Sequence, residues 1–234
     1  MLYQNDSWLA ERLGKNVFNL VTDDRDTIDE VEGEKPISPA LIYSKVSSHR
    51  TALVSNMIKK NFHIIDINVL LLTPISSLVN KKSDILNVRH ATIDDQEALT
   101  SIAYEGFTLD RFHTDPQISN QHASQIKADW VMNYILGKRG DLTLVIEDEN
   151  NNVQGFLLLI HKENRDTIID LIAMNPAYRG QGAGTIIISA IHEFLPKTRQ
   201  VFVGTQLSNY GSINFYSKLG FKIDSTTFML HRHI

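Results

Sequence analysis

The chain has 234 residues, 42% of them hydrophobic, enough for one large or two small domains with ordinary cores. A net charge of −4 without a compensating basic cluster leaves no electrostatic footprint for nucleic acid, and the lack of cysteine excludes disulfides and thiolate metal sites. Residues 1–6 lack a basic and apolar leader, and no apolar run, 69–72 among them, comes near the length of a bilayer span, so a cytoplasmic protein with no membrane contact is expected.

Trp8, Leu9, Leu13, Val17, Phe18 and Leu20 give a helical, then extended, pattern broken at Gly14. Residues 23–34 are acidic and poor in apolar side chains, as in a solvated loop or a short helix. Residues 40–43 read as a buried strand, Ser47 or Ser48 as an N-cap, and Ala52, Leu53, Met57 and Ile58 as one face of a helix. A long strand is predicted over 62–72. Polar residues 81–84 then mark a boundary, which divides the chain into 1–84 and 85–234.

The second part opens with a strand at 88–92 and a helix capped by Asp94-Asp95 through Leu99, Ile102, Ala103 and Phe107. Residues 109–116 are irregular and rich in functional side chains. A helix over 120–136 places Ala123, Ile126, Trp130, Val131, Tyr134 and Ile135 inward, and 142–147 with 155–161 read as a hairpin across Asn150-Asn151-Asn152. The strand containing Asp170 pairs next. Near the end, a strand at 201–205, a helix through Ile213, Phe215, Tyr216 and Leu219, and a strand reaching Leu230 echo the order around 40–72. Asn61-Phe62 and Gly220-Phe221 fall at the same place in the two units, where Asn61 and Gly220 suit the left-handed turn of a helix C-terminus.

Chemistry concentrates at 168–184. An apolar strand ends at Asn175-Pro176, the loop Arg179-Gly180-Gln181-Gly182-Ala183-Gly184 follows, and an apolar-periodic helix over 185–195, closed by Pro196, begins at once. Such a helix end offers unpaired N–H groups and the positive end of its dipole, and glycines let a bulky anion such as a pyrophosphate approach. A dinucleotide fingerprint would need glycine where Thr185 stands, and a phosphate loop ending G-K-[ST] would need a lysine. What remains is R-x-x-G-x-G, in Arg179, Gly182 and Gly184.

This loop resembles the acetyl-CoA loop of the GNAT (Gcn5-related) N-acetyltransferases. The element order from 85 onward is also that of the GNAT fold, and the resemblance covers roughly 86–234. Thr205-Gln206, Asn209, Phe215-Tyr216 and Leu219-Gly220-Phe221 are similar to the family's N-x-x-[AS]-x-x-[FLR]-Y-x-x-x-G-[FA] region. The resemblance implies an α/β (α+β) fold: a mixed twisted central sheet flanked by helices, with a smaller partial-GNAT-like α/β domain at the N-terminus. It further implies acetyl-CoA as co-substrate, with Leu171, Ile172, Ala173, Arg179, Gly180, Gln181, Gly182, Ala183, Gly184 and Asn209 binding it and Tyr216 as the catalytic residue. Trp8 and Gly14, Arg111-Phe112-His113 followed by Asp115, and the stretch from Thr205 to Tyr216 resemble more narrowly the branch that acetylates dTDP-fucosamine. That implies a small-molecule amine on a nucleotide-linked amino-deoxysugar as acceptor, bound by Arg111, Phe112 and His113. A GNAT enzyme acting on a protein or peptide amine, or a non-catalytic acetyl-CoA-binding regulator, are the alternatives, and a homodimer is left open.

Acyl transfer from a thioester to an amine needs a neutral nucleophile, stabilisation of the oxyanion and a proton for the leaving thiolate. A phenol with a pKa near 10 keeps its proton at neutral pH and can donate it, which suits Tyr216, although an aromatic packing role is equally open to it from the residues alone. Asn209 can bond an amide of the pantetheine arm or cap the following helix. Asp170, His161, Asp110, His113 or a water relay are the candidates for a base. Arg111 can pair with a nucleotide phosphate or with Asp110 or Asp115, and a sugar nucleotide calls for basic and aromatic groups such as Arg111, Phe112 and Trp130. His231 and His233 alternate on a terminal strand with no third ligand evident, so no metal is expected.

Overall fold

The computed structural model describes residues 1–22 and 36–234, so the expected acidic loop at 23–34 lies outside the described residues. The first part of the chain forms β1 (Leu2–Asn5), α1 (Ser7–Leu13), β2 (Asn16–Val21), β3 (Ala40–Ser47), α2 (Thr51–Lys59) and β4 (His63–Pro74). The second forms β5 (Leu86–His90), α3 (Gln96–Gly106), α4 (Asn120–Ile135), β6 (Leu142–Asp148), β7 (Val153–His161), β8 (Thr167–Met174), α5 (Ala183–Ser189), α6 (Ile191–Phe194), β9 (Gln200–Gln206), α7 (Tyr210–Lys218) and β10 (Lys222–His233).

Local chemistry explains most of the boundaries. Asp6 caps α1 by accepting from Leu9 N–H, and Gly14, at φ 62°, ends it. Asn61 (φ 65°) and Gly220 (φ 87°) both adopt the left-handed turn that leads from helix to strand. Several details differ from expectation: the strand expected at 88–92 is Leu86–His90, and Thr92, through a reciprocal capping box with Asp95, caps the turn that leads into α3. Strand β3 runs on to Ser47 because its pairing with β10 reaches Thr227, and Ser48 N–H bonds Thr226 O, so α2 is capped at Arg50 instead. Its buried face is Leu53, Val54 and Met57, while Ile58 is largely exposed. The helix expected over 185–195 breaks at Ala190 into α5 and α6.

The ten strands of the described residues belong to one sheet in the order β1-β2-β3-β10-β4-β9-β8-β7-β6-β5. The units β3-α2-β4 and β9-α7-β10 therefore interleave: β10 lies between β3 and β4, and β4 lies between β10 and β9. Their registers correspond. Lys222 faces Leu72 while His231 faces His63, and Ser47 faces Thr227 while Gln206 faces Asn68, so exchanging the two units maps each pair onto another.

Four apolar clusters fix the layers. One lies under α5 and α7, including Leu157, Ile187, Val203 and Tyr216, and another under α3 and α4, including Leu99, Val131, Phe156 and Leu158. A third packs α2 on the sheet through Leu53, Met57 and Leu230. The fourth matters most for the site. Leu9, Val17 and Leu41 from the first part meet Phe112, Ile118, Ala123 and Ile126 from the second, which pins the irregular 107–118 segment over the sheet.

Candidate active site

Among the described residues, the only parallel pairings are β2 with β3 and β8 with β9. The register of β8 with β9 stops at Ile169/Val203, although β8 stays paired with β7 as far as Met174/Gly155. A bulge decides where they part: Leu158 and Leu159 face Leu171 and Ile169, leaving Asp170 as the extra residue, and a bulged strand bends and twists away from its neighbour. The wedge so opened has Asp170, Leu171 and Ile172 on one lip and Gly204, Thr205 and Gln206 on the other. It continues into a cleft of about 760 Å³ that extends beneath the 107–118 segment.

Two ends of this cleft differ in chemistry. At the wedge, Tyr216 from α7 lines the cavity while only 4% exposed, packed on Phe215 and Phe221, and burial pushes its phenol well above the ordinary value. Asn209 also lines the cavity, and its Oδ1 accepts from Ser212 N–H (3.1 Å), so it caps α7. Beyond the cavity, Gly180 (φ 75°) and Gly182 (φ 88°, the N-cap of α5) have no atom within 4 Å of a hypothetical Cβ, so their backbone faces open space. A Cβ on Gly184 would instead meet Phe215 Cζ at 3.1 Å, and Ala183 is buried in the core. Arg179 Nε donates to Met174 O (3.1 Å) and Gln181 Nε2 to Ala177 O (2.7 Å), bonds that hold the loop across the end of β8. Ala173 is buried against α3, so Leu171 and Ile172 line the wedge and Ala173 backs it.

The far end draws on both parts of the chain. Asp66, Asn68 and Leu70 alternate on the cleft face of β4, with Tyr43 and Lys45 from β3 and Asp6 and Trp8 from the N-terminus. The Arg111 guanidinium lies 4.1 Å from the Tyr43 ring centre and 4.5 Å from that of Phe112, and among the described residues it makes no ion pair. The expected alternative partners are engaged elsewhere. Asp110 accepts from His113 Nδ1 (2.6 Å) and Phe112 N–H (3.0 Å), with Lys127 Nζ at 3.8 Å, and Asp115 is bound by two histidines. Phe112 is 2% exposed, a core residue whose ring face supports Arg111. His113 is tied between Asp110 and Ser124 and does not line the cleft. Tyr43 donates to Asp6 (2.9 Å), and burial pushes its pKa to about 12.

Two hubs were not legible in the sequence. Asp170 accepts from Trp130 Nε1 (2.9 Å), Tyr134 Oη (2.6 Å) and Arg139 Nε (2.9 Å); burial would raise its carboxyl, but Arg139, Tyr134 and Trp130 outweigh that and lower it. Lys127, buried, sits within 5.1–5.7 Å of the Phe107, Phe112 and Trp130 ring centres, and burial lowers its pKa against the pull of Asp110. His161 bonds Thr167 Oγ1 (3.0 Å), away from the cleft. For the alternating His231 and His233, the tertiary structure brings in a third side chain that spacing did not reveal, Asp115 from the 107–118 segment.

Residues 104–221 match the acetyltransferase (GNAT) family. The spore coat polysaccharide biosynthesis protein SpsD of Bacillus subtilis strain 168 is 29% identical over 140 residues, 58% of this chain; the match covers 47% of SpsD, so this chain spans about half of it. The dTDP-fucosamine acetyltransferase of Escherichia coli O6:H1 is 21% identical over 82% of this chain and 81% of its own length. In fold, a functionally unknown conserved protein of Staphylococcus epidermidis ATCC 12228 superposes with a TM-score of 0.62 at 14% identity, covering 82% of this chain and 72% of that one. The parted β8 and β9, the glycine loop opening α5 and the family match over half of the chain agree: this chain belongs to the GNAT family of acetyl-CoA-dependent acetyltransferases.

Proposed function

We propose that the protein N-acetylates the amino group of a nucleotide-linked amino-deoxysugar, by direct transfer from acetyl-CoA while both substrates are bound. The observation that carries the acceptor class is Arg111: a guanidinium in the cleft, stacked on Tyr43 and Phe112, with no carboxylate paired to it among the described residues. Such a cation fits a phosphate bidentately, and Lys45 lies nearby in the same cleft. Trp8 and Trp130, edge to face at 5.6 Å, offer aromatic surface to a sugar or base. The dTDP-fucosamine acetyltransferase of E. coli, similar over most of both chains, supports the same class.

On this reading the open backbone at Gly180 and Gly182 receives the pyrophosphate of acetyl-CoA, and the pantetheine arm lies in the wedge beside Leu171 and Ile172. Past Ile169 the β8 edge no longer pairs with β9, and its backbone N–H groups are the donors this reading assigns to the developing oxyanion. The amine nitrogen attacks the thioester carbon, the C–N bond forms, and as the C–S bond breaks Tyr216 gives its phenolic proton to the sulfur. The amine proton leaves through water, because Asp170, Asp110 and His113 are each held by structural partners. The test is acetyl-CoA consumption with dTDP-fucosamine, other nucleotide amino sugars, amino acids and peptides. Turnover confined to nucleotide amino sugars is expected, and turnover confined to peptides would replace this acceptor class.

A further inference from the structure

Behind Arg111 lies a buried chain of polar groups that the transfer reaction does not use. Arg111 Nη1 is 3.5 Å from His231 Nε2, His231 Nδ1 is 2.6 Å from Asp115 Oδ2, the same oxygen is 2.8 Å from His233 Nε2, and His233 Nδ1 is 3.1 Å from Lys15 Nζ. His231 and Asp115 are buried, at 0% and 2% exposure.

The donors at the two ends fix the tautomers. A guanidinium only donates, so His231 Nε2 accepts and its Nδ1–H points at Asp115. An ammonium likewise makes His233 Nδ1 an acceptor and sends Nε2–H to Asp115. Both rings are then neutral and Asp115 ionised. Burial would raise Asp115, but hydrogen bonds from His231, His233 and Gln117 N–H hold it well below the carboxylate range, while burial lowers His231 to about 4. The arrangement is the reverse of a metal centre. A metal-bound imidazole gives its inner lone pair to the ion and its outer N–H to an acceptor, whereas here both inner nitrogens carry hydrogen and both outer partners are cations.

We propose that His231, locked by Asp115 into the Nδ1–H tautomer, is a positioning residue for acceptor recognition: its Nε2 lone pair holds the Arg111 guanidinium between the Tyr43 and Phe112 rings at the end of the cleft. The inference rests on Arg111 as the phosphate ligand proposed above. A carboxylate in the place of His231 would neutralise Arg111 and compete with the incoming anion. A neutral imidazole orients the cation without cancelling its charge, and restraining the side chain beforehand lowers the entropy lost on binding. The other charged or titratable groups around His231 are Tyr43 on β3, His63 opposite it on β4, His233 on its own strand, and Arg111 and Asp115 in the 107–118 segment.

The test compares His231→Leu, which removes the acceptor, with His231→Gln, whose side-chain carbonyl restores one at similar reach, and with Arg111→Gln. Thymidine diphosphate is the probe, titrated by calorimetry alongside CoA. Arg111→Gln should weaken thymidine diphosphate binding by on the order of 10- to 100-fold, as for a lost charge-assisted hydrogen bond. His231→Leu should weaken it roughly 10-fold and His231→Gln only slightly, with CoA affinity unchanged in all three. A folded His231→Leu protein that binds thymidine diphosphate like wild type overturns the positioning role while leaving Arg111 intact. If Arg111→Gln is also without effect, the phosphate reading of Arg111 fails as well. Nitrogen-15 NMR of the wild-type imidazoles decides the tautomers independently: an Nε2–H His231 at neutral pH, or tightly bound zinc in protein purified without chelator, would overturn the inference even if His231→Leu does not fold.

Discussion

Tyr216 illustrates how a side chain can belong to the core and to the site at once. Its ring packs between Phe215 and Phe221 while the residue lines the cavity, so both readings open to it from sequence coexist. Tyr216→Phe should keep fold and acetyl-CoA affinity but lower kcat by about 10² to 10⁴, as for a lost general acid. Because burial raises its pKa, the phenol stays protonated through the neutral range, and no loss of kcat from its ionisation is expected there. A Phe variant with near wild-type kcat, measured where chemistry limits the rate, would exclude the assignment. At Gly182, φ 88° lies in the region that glycine tolerates and β-branched residues do not. Gly182→Val should therefore weaken CoA binding and also destabilise the protein by roughly 1–3 kcal/mol, which calorimetry and thermal melting will separate.

At the scale of elements, the turn after α4 shows how a glycine can serve a distant carboxylate. A Cβ on Gly140 would fall 1.9 Å from Cε1 of Tyr134, whose hydroxyl donates to Asp170 at the bulge of β8. With φ at 67° as well, Gly140→Ala should destabilise the fold by about 2–4 kcal/mol and reduce activity by displacing the Tyr134–Asp170 contact. Strand β10 carries an acid-sensitive element in His231. Its folded pKa is depressed from 6.5 to about 4, so the unfolded chain binds its proton first, and stability falls as pH drops from about 6.5 toward 4, by on the order of 3 kcal/mol. The lowered pKa of Asp115 adds a loss that begins only below about pH 4. Melting temperatures of wild type should thus decline between pH 6.5 and 4.5, and those of His231→Leu should decline less over the same interval.

For the whole molecule, β10 has β3 on one side and β4 on the other, both from the first 84 residues. We propose that residues 1–84 act as a partial GNAT-like unit that completes the sheet and walls the acceptor end of the cleft. A chain starting near Asp84 leaves β10 without either neighbour and removes Asp6, Trp8, Tyr43, Lys45 and Asp66 from the cavity. It should aggregate or lose acceptor turnover. A truncated protein that folds and acetylates the same acceptor with equal efficiency would refute this role.

Much of the site was written locally. The run from Arg179 to Gly184 can be read because one short loop supplies both the glycines and the helix end, and the motif from Asn209 to Phe221 because one helix carries all of it. Period-2 and period-3.6 patterns likewise located nearly every element from 86 onward. The sequence could not reveal that Trp130, Tyr134 and Arg139 converge on Asp170, that Tyr43 supports Arg111 from another part of the chain, or that Asp115 joins His231 and His233. These groups lie up to 118 residues apart and carry no shared periodicity. Local sequence thus determined the left-handed helix ends at Gly14, Asn61 and Gly220, the glycine loop that opens α5 and the place of the family in the chain, since each depends on neighbouring residues alone, whereas the start of α2 shifted from Ser47 or Ser48 to Arg50 because β3 pairs with distant β10. The tertiary structure decided the interleaving of β3, β10 and β4, the parting of β8 and β9 at a bulge, and the charge of the acceptor end, because all three arise from pairing and packing between distant segments.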